Sequence, residues 1–194
     1  MRSQLLRGIA GSSQGMVREQ LIQARYIVIQ TLSRRSATGT LICGNLRFRC
    51  ALGRSGARAV KHEGDGASPR GTFAVREIYF RGDKLLRPHA ALPLRRLRPD
   101  DGWCDAVGDR NYNRRVRHPY PASAERLWRS DGLYDLVIVL GYNDRPRIQG
   151  LGSAIFMHIA KPGYSPTEGC VALRRPDLEK LLTVIGPRTR IVLP

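Results

Sequence analysis

No window of this 194-residue chain approaches 18 consecutive apolar residues, which excludes a transmembrane helix of ordinary length. The first twenty residues, MRSQLLRGIAGSSQGMVREQ, hold no continuous apolar stretch, so a cleaved secretory signal is not expected. That absence points to a cytoplasmic protein. It becomes a periplasmic one if the start is mis-called, Met16 being an alternative start, or if export is non-standard. No C-x-x-C pair joins Cys43, Cys50, Cys104 and Cys170, so a zinc ribbon or thioredoxin-type site has no support. Lysines number four (Lys61, Lys84, Lys161 and Lys180), arginine supplies the rest of the 33 basic residues, and aromatics make up 7%. No arginine run exceeds two. Without basic clusters interleaved with aromatics, the net charge of +17 does not point to nucleic acid as the main partner. A basic surface still draws anions. It would fit a basic cleft for a substrate bearing several carboxylates.

What is present is an ordinary soluble composition, with 42% hydrophobic and 25% charged residues, in a chain of one-domain length. Residues 25–32, RYIVIQTL, read as a strand. Residues 39–43 and 46–52 flank a Gly44-Asn45 turn and predict a hairpin. A glycine-rich loop, 53–71, leads to a strand over 72–80. Residues 81–132 are rich in Arg, Asp and Pro and read as a long irregular insertion, with one short helix near 122–128. A loop of that length is uncommon unless it is functional. Trp103-Cys104-Asp105 and Asn111-Tyr112-Asn113 within it suit a lid or a sugar-binding wall, or simple loop packing. YDLVIVLGY, 134–142, is nearly all apolar and predicts a central strand. SAIFMHIA, 153–160, predicts another. One helix follows, with Pro176 at its first position, an apolar face of Leu178, Leu181, Leu182 and Ile185, and a stop at Gly186-Pro187. TRIVLP closes the chain as a strand. The expected architecture is mostly β, one domain over 25–194, preceded by an extension over 1–24.

The chemistry concentrates in GSAIFMHIAKPGYSPTEGCVAL, residues 152–173. His158 ends a strand. Twelve residues later Cys170 follows Gly169. A cysteine nucleophile needs a base, and histidine is the usual one. A glycine before it permits a tight turn whose N–H groups at Gly169 and Cys170 can face a developing oxyanion. These are the parts of a cysteine acyl-transfer site, although a strand Cys and a strand His are also ordinary core residues. Cys43 and Cys50 read as small sheet or core residues.

The sequence resembles the L,D-transpeptidase catalytic domain, the YkuD family, over roughly residues 25–194. The resemblance rests on His158, then Thr167, Gly169, Cys170 and Val171. It rests also on Ala67-Ser68-Pro69-Arg70-Gly71-Thr72-Phe73 entering a strand, and on Leu140-Gly141-Tyr142-Asn143-Asp144. Two positions depart from the family pattern: Glu168 stands where the usual His precedes Gly, and Ala172 stands where Arg or Asn often follows the Cys.

The resemblance implies a β-sandwich with the Cys at the mouth of a cleft, and no metal or organic cofactor. It implies attack by Cys170 on the carbonyl of the third residue of a peptidoglycan stem tetrapeptide, with D-Ala leaving. An amine resolves the thioacyl-enzyme to a cross-link, and water resolves it to a tripeptide. A free muropeptide would be the partner inside the cell. His158 would be the base. Thr167 would position the His or the substrate, and Tyr142 would line the cleft. Arg174 or Arg175 would replace the lost Arg, and Glu168 would hold a substrate amine. The alternative is a basic binding module for wall fragments or nucleic acid, with an unreactive Cys170. The oligomeric state is not legible.

Overall fold

The computed structural model describes residues 23–194. The expected extension over 1–24 lies, apart from its last two residues, outside the described residues. In chain order the strands are β1 (Tyr26–Gln30), β2 (Thr38–Cys43), β3 (Leu46–Ala51), β4 (Ala57–Arg58), β5 (Ser68–Pro69), β6 (Gly71–Phe80), β7 (Leu94–Arg96), β8 (Asp101–Cys104), β9 (Arg115–Arg117), β10 (Ala124–Arg126), β11 (Leu136–Leu140), β12 (Phe156–Ile159), β13 (Val171–Leu173) and β14 (Arg190–Leu193). Helix α1 (Arg175–Leu182) lies between β13 and β14.

The main sheet runs β11-β12-β13-β3-β2-β1-β14-β6-β7. Strand β6 is ten residues long, enough to pair with β14 over its first residues and with β7 and β11 over its last. The β6–β11 pairing closes eight strands into a barrel. A sandwich of two sheets was expected. A closed sheet instead leaves few strand edges for other chains to pair with. Gly44, at φ 58°, takes the left-handed position of the β2–β3 turn that glycine favours.

The all-apolar β11 has a simple cause. Leu136, Ile138 and Leu140 point into the barrel core with Ile27, Leu41, Met157 and Val171. Val137 and Val139 point outward, and still they are buried, in a second cluster with Trp103, Leu127, Tyr134 and Phe156. Both faces of the strand are therefore covered, which removes the usual alternation. The cover on the outer face is the insertion. It was read as irregular with one short helix over 122–128; the structure has a three-stranded antiparallel sheet, β10-β8-β9, with Ala124–Arg126 as a strand. The periodicity of these short strands is masked because Trp103 and Leu127 are buried against the outer face of the barrel rather than in a core of their own.

Helix α1 buries Leu178, Leu181 and Leu182 as predicted and has Pro176 in its first turn, one position later than expected. It stops at Leu182; Ile185 is buried beyond its end. Asp177 in the first turn and Lys180 in the last both suit the helix dipole.

Candidate active site

The two strands that carry Cys170 and His158 are parallel neighbours. The β12–β13 register pairs Met157 with Val171 and His158 with Ala172. Alternation then separates two faces. Met157 and Val171 enter the barrel core, while Phe156, His158, Cys170 and Ala172 face outward beneath the insertion. A cavity of about 510 Å³ opens there, with Cys170, His158 and Ala172 in its wall.

Hydrogen bonds through Thr167 and Ser68 hold the turn before Cys170. Thr167 pairs through its backbone with Leu52 and Arg54. Its hydroxyl donates to the Cys170 carbonyl (2.6 Å) and accepts from the Gly169 N–H (3.2 Å). Ser68 donates to the Gly169 carbonyl (2.9 Å) and accepts from the Gly53 N–H (2.9 Å). Beneath Gly169 lies the Ala67 carbonyl, which also accepts from the Lys61 ammonium. Gly169 sits at φ 136°, where other residues are strained.

Cys170 is 8% exposed. It donates to the Ala154 carbonyl (3.2 Å) and accepts from the Phe156 N–H (3.3 Å). Burial, reinforced by the negative charge of Glu125, pushes its pKa up to about 12. His158 is 6% exposed, and its Nδ1 lies 2.9 Å from the Ile159 carbonyl. A carbonyl only accepts, so Nδ1 carries the proton and Nε2 keeps its lone pair. Burial lowers the imidazole pKa to about 4. At neutral pH the pair is thus a neutral thiol and a neutral imidazole. The resting site therefore holds no preformed thiolate. Cys50, in the barrel core, is also pushed up to about 12 by burial.

The other expected site residues fall in different places. Glu168 lines the cavity but is exposed and paired with Arg54 (2.9 Å). Arg174 and Arg175 turn to Asp177 and Glu179 on α1. Tyr142 lies outside the cavity wall, donating to the Leu151 carbonyl and stacking edge-on against Phe73. The Gly169 N–H, expected to face an oxyanion, is occupied by Thr167. The expected basic cleft is instead lined by four carboxylates, Glu63, Asp105, Glu125 and Glu168, against two cations, Arg129 and Lys161. The basic charge of the chain lies elsewhere on its surface.

Sequence reasoning gave Asn113 only as part of a lid, a sugar-binding wall or loop packing, and did not single out Tyr134 or Lys61 for the site. Asn113 is buried in the insertion; its Oδ1 accepts from Trp103 Nε1 and the Ala154 N–H, and its Nδ2 donates to the carbonyls of Tyr142 and Asn143. It thereby holds Ala154 at φ 52°, which aims the Ala154 carbonyl at Cys170. Tyr134 stacks edge-on against His158, centroids 5.1 Å apart, and donates to Glu125 (2.6 Å). Lys61 is 3% exposed and ion-paired to Asp65. Nothing in the sequence sets Lys61 apart, since Lys161 and Lys180, of the same scarce type, are exposed.

Among the described residues no helix is long and apolar enough to cross a membrane, and no group of three or more His, Cys, Asp or Glu is placed to hold a metal ion. No curated protein matches the chain. A solved structure, that of Bdellovibrio bacteriovorus Bd1075, aligns with 14% identity and a TM-score of 0.44, covering 90% of this chain. The chain spans about half the length of that protein, 49%. The family of L,D-transpeptidase catalytic domains, YkuD, matches residues 25–193, and the chain belongs to that family.

Proposed function

We propose that the protein is a cysteine acyl transferase acting on peptidoglycan stem tetrapeptides. The observation that carries this reading is that Cys170 and His158 open from neighbouring strands into one cavity, with the His158 Nε2 lone pair free of the Ile159 contact. As substrate arrives, the thiol leaves the Ala154 carbonyl and turns to Nε2. The sulfur attacks the carbonyl of the third stem residue as its proton passes to Nε2. The carbon–nitrogen bond to D-Ala breaks, and His158 returns the proton to the departing amine. A thioester remains on Cys170. An amine or water then attacks it, His158 takes the attacking proton, and the thiol is restored. The backbone N–H groups of Gly169 and Cys170 face the oxyanion once the Gly169 N–H is released from Thr167.

Both resting groups are neutral, so proton transfer accompanies attack rather than preceding it. This keeps the thiol protected until a substrate fills the cavity and displaces water. A binding module with a silent cysteine is the competing reading, and the high thiol pKa is the observation on its side. One experiment separates them. Purified protein is incubated with a disaccharide-tetrapeptide, the products are read by mass spectrometry, and Cys170→Ala is the control. Tripeptide plus D-Ala identifies a carboxypeptidase, the natural outcome for a cytoplasmic protein that meets free muropeptides. A 3–3 linked dimer identifies a transpeptidase. Absence of any Cys170-dependent product rejects the acyl-transfer reading.

A further inference from the structure

The insertion and the loop that follows β11 meet at the surface, and side chains tie them together. Gln149 accepts from the Gly108 N–H (2.9 Å) and donates to the Asp109 carbonyl (3.0 Å), while Arg147 donates through Nε to the Asn113 carbonyl (3.1 Å). Asn143 closes the loop on itself, accepting from the Ile148 N–H (2.8 Å) and donating to the Ile148 carbonyl (2.9 Å). The Gly150 carbonyl accepts from the N–H of Glu63, a residue of the cavity wall. Segments 105–114 and 143–150 thus form one fixed surface that borders the cavity.

Arg114, Arg145 and Arg147 stand exposed on this surface, with Arg110 at its margin. None of the four has an ion-pair partner among the described residues. The carboxylates nearby are already engaged. Asp144 is taken by Arg76 (2.7 Å), and Asp109, which lies in the field of Arg110, accepts from the Tyr120 hydroxyl (2.9 Å) and the Asn111 N–H (2.7 Å). Burial, and then the charges of Arg114 and Arg145, hold the Arg147 pKa below its usual value against the pull of Asp144. Three guanidiniums therefore repel one another here, and an anionic surface would relieve that repulsion.

Two branched aliphatic side chains face solvent beside them. Val107 is 59% exposed and Ile148 49%. They share the patch, because Val107 Cγ1 lies 4.0 Å from the Cβ position of Gly150, just beyond Ile148. A single scattered aliphatic needs no explanation. Aliphatics set among uncompensated guanidiniums match an anionic bilayer, where cations meet lipid phosphates and apolar groups enter the headgroup boundary. A single-stranded nucleic acid would call for exposed rings on which bases stack. The rings here are not free for that: Tyr112 is buried, and Tyr120 is bonded to Asp109 and Asn111.

We propose that Val107, Arg114, Arg145, Arg147 and Ile148 form a docking surface for an anionic phospholipid bilayer. Docking there holds the neighbouring cavity at the membrane surface. The surface uses none of the groups assigned to acyl transfer, so it stands or falls apart from that reading.

The test is co-sedimentation of the full-length protein with vesicles of phosphatidylcholine alone, or of phosphatidylcholine and phosphatidylglycerol in equal parts. Binding is expected to the anionic vesicles only, weakening as salt rises. A net charge of +17 draws the whole chain to anionic vesicles, so variants at defined positions decide. Arg114→Gln with Arg145→Gln should weaken binding more than tenfold, at about fivefold per arginine. Arg47→Gln with Arg188→Gln makes the same charge change at exposed positions in β3 and beyond α1, and should weaken it far less. Val107→Ser with Ile148→Ser should weaken it several-fold. All these positions are exposed, so the variants should keep the wild-type melting temperature. No binding to anionic vesicles, equal loss in the two arginine pairs, or no loss in the serine variant would each overturn the docking surface. Binding to single-stranded or duplex DNA that falls with Arg114→Gln and Arg145→Gln, while vesicle binding is unchanged, would assign the patch to nucleic acid and overturn it as well.

Discussion

Gly169 lies so close over Ala67 that a Cβ at position 169 would stand 2.7 Å from the Ala67 carbonyl oxygen. That oxygen is fixed by the Lys61 ammonium and cannot rotate away. The backbone at 169 also has φ 136°, which adds strain of about 1–3 kcal/mol for any side chain. Gly169→Ala is therefore expected to lower the melting temperature and to abolish Cys170-dependent product, because the turn must move the nucleophile to relieve the clash. Thermal unfolding and product analysis check this together. A variant of wild-type stability and activity would show that the turn does not depend on this approach.

Ser68 joins two loops through one hydroxyl, accepting from Gly53 and donating to Gly169. Ser68→Ala leaves a buried N–H and a buried carbonyl unpaired, at a cost of about 1–3 kcal/mol. A drop in denaturation midpoint together with a fall in kcat is expected, since the same bond holds the nucleophile turn. Unchanged kcat at reduced stability would restrict Ser68 to folding.

The hairpin β2–β3, the buried strand β11 and helix α1 were legible because each carries its signal locally: a Gly-Asn turn, an apolar run, a 3.6-residue stripe. That His158 and Cys170 come together was an expectation from spacing and from resemblance, and the adjacent strands place both in one cavity wall. The insertion was not legible. Its strands are three or four residues long, and their burial is set by the outer face of β11 and β12, far away in sequence. The sign of the cleft was misjudged for a related reason. Net charge averages over the whole surface, while Glu63, Asp105 and Glu125 are brought together only by folding. Barrel closure rests on the β6–β11 pairing between distant segments, which no local pattern encodes.

The pKa of His158 is about 4 in the folded protein, against 6.5 ordinarily, because burial disfavours the imidazolium. Below pH 6.5 the unfolded chain takes up a proton that the folded one refuses. The stability this group contributes is complete above 6.5 and is lost as pH falls to about 4, a span of about 3 kcal/mol at most. The difference in stability between wild type and His158→Gln should therefore shrink or reverse between pH 6.5 and 4. Parallel curves would mean that His158 is charged or exposed in solution.

Alkylation reports the thiol directly. With a pKa pushed up to about 12, Cys170 is nearly all protonated at pH 8, so free enzyme should react slowly with iodoacetamide. Glu125 is one cause of the shift, and Glu125→Gln removes its charge. A several-fold faster modification of Cys170 is expected in that variant, read by peptide mass spectrometry, with Cys50 as an internal reference. A rapid wild-type reaction that Glu125→Gln leaves unchanged would indicate a preformed thiolate.

Two ion pairs flank the nucleophile turn, and burial decides which one matters. Arg54–Glu168 is 53% and 76% exposed, so solvent screens it and Arg54→Ala should cost well under about 1 kcal/mol. Lys61–Asp65 is 3% and 6% exposed. Burial works to raise the Asp65 carboxyl, but hydrogen bonds from Lys61 and from the N–H groups of Ala67 and His62 outweigh it and keep the pKa below normal. Lys61→Met strands that charge in the interior and frees the Ala67 carbonyl under Gly169, so a loss of about 3–5 kcal/mol is expected. Lys61→Met with Asp65→Asn removes the stranded charge and should recover part of the stability. Activity should stay low in the double variant, because the Ala67 carbonyl still lacks the donor that fixes the floor of the turn. Full recovery of activity alongside stability would show that Lys61 acts only by neutralising Asp65.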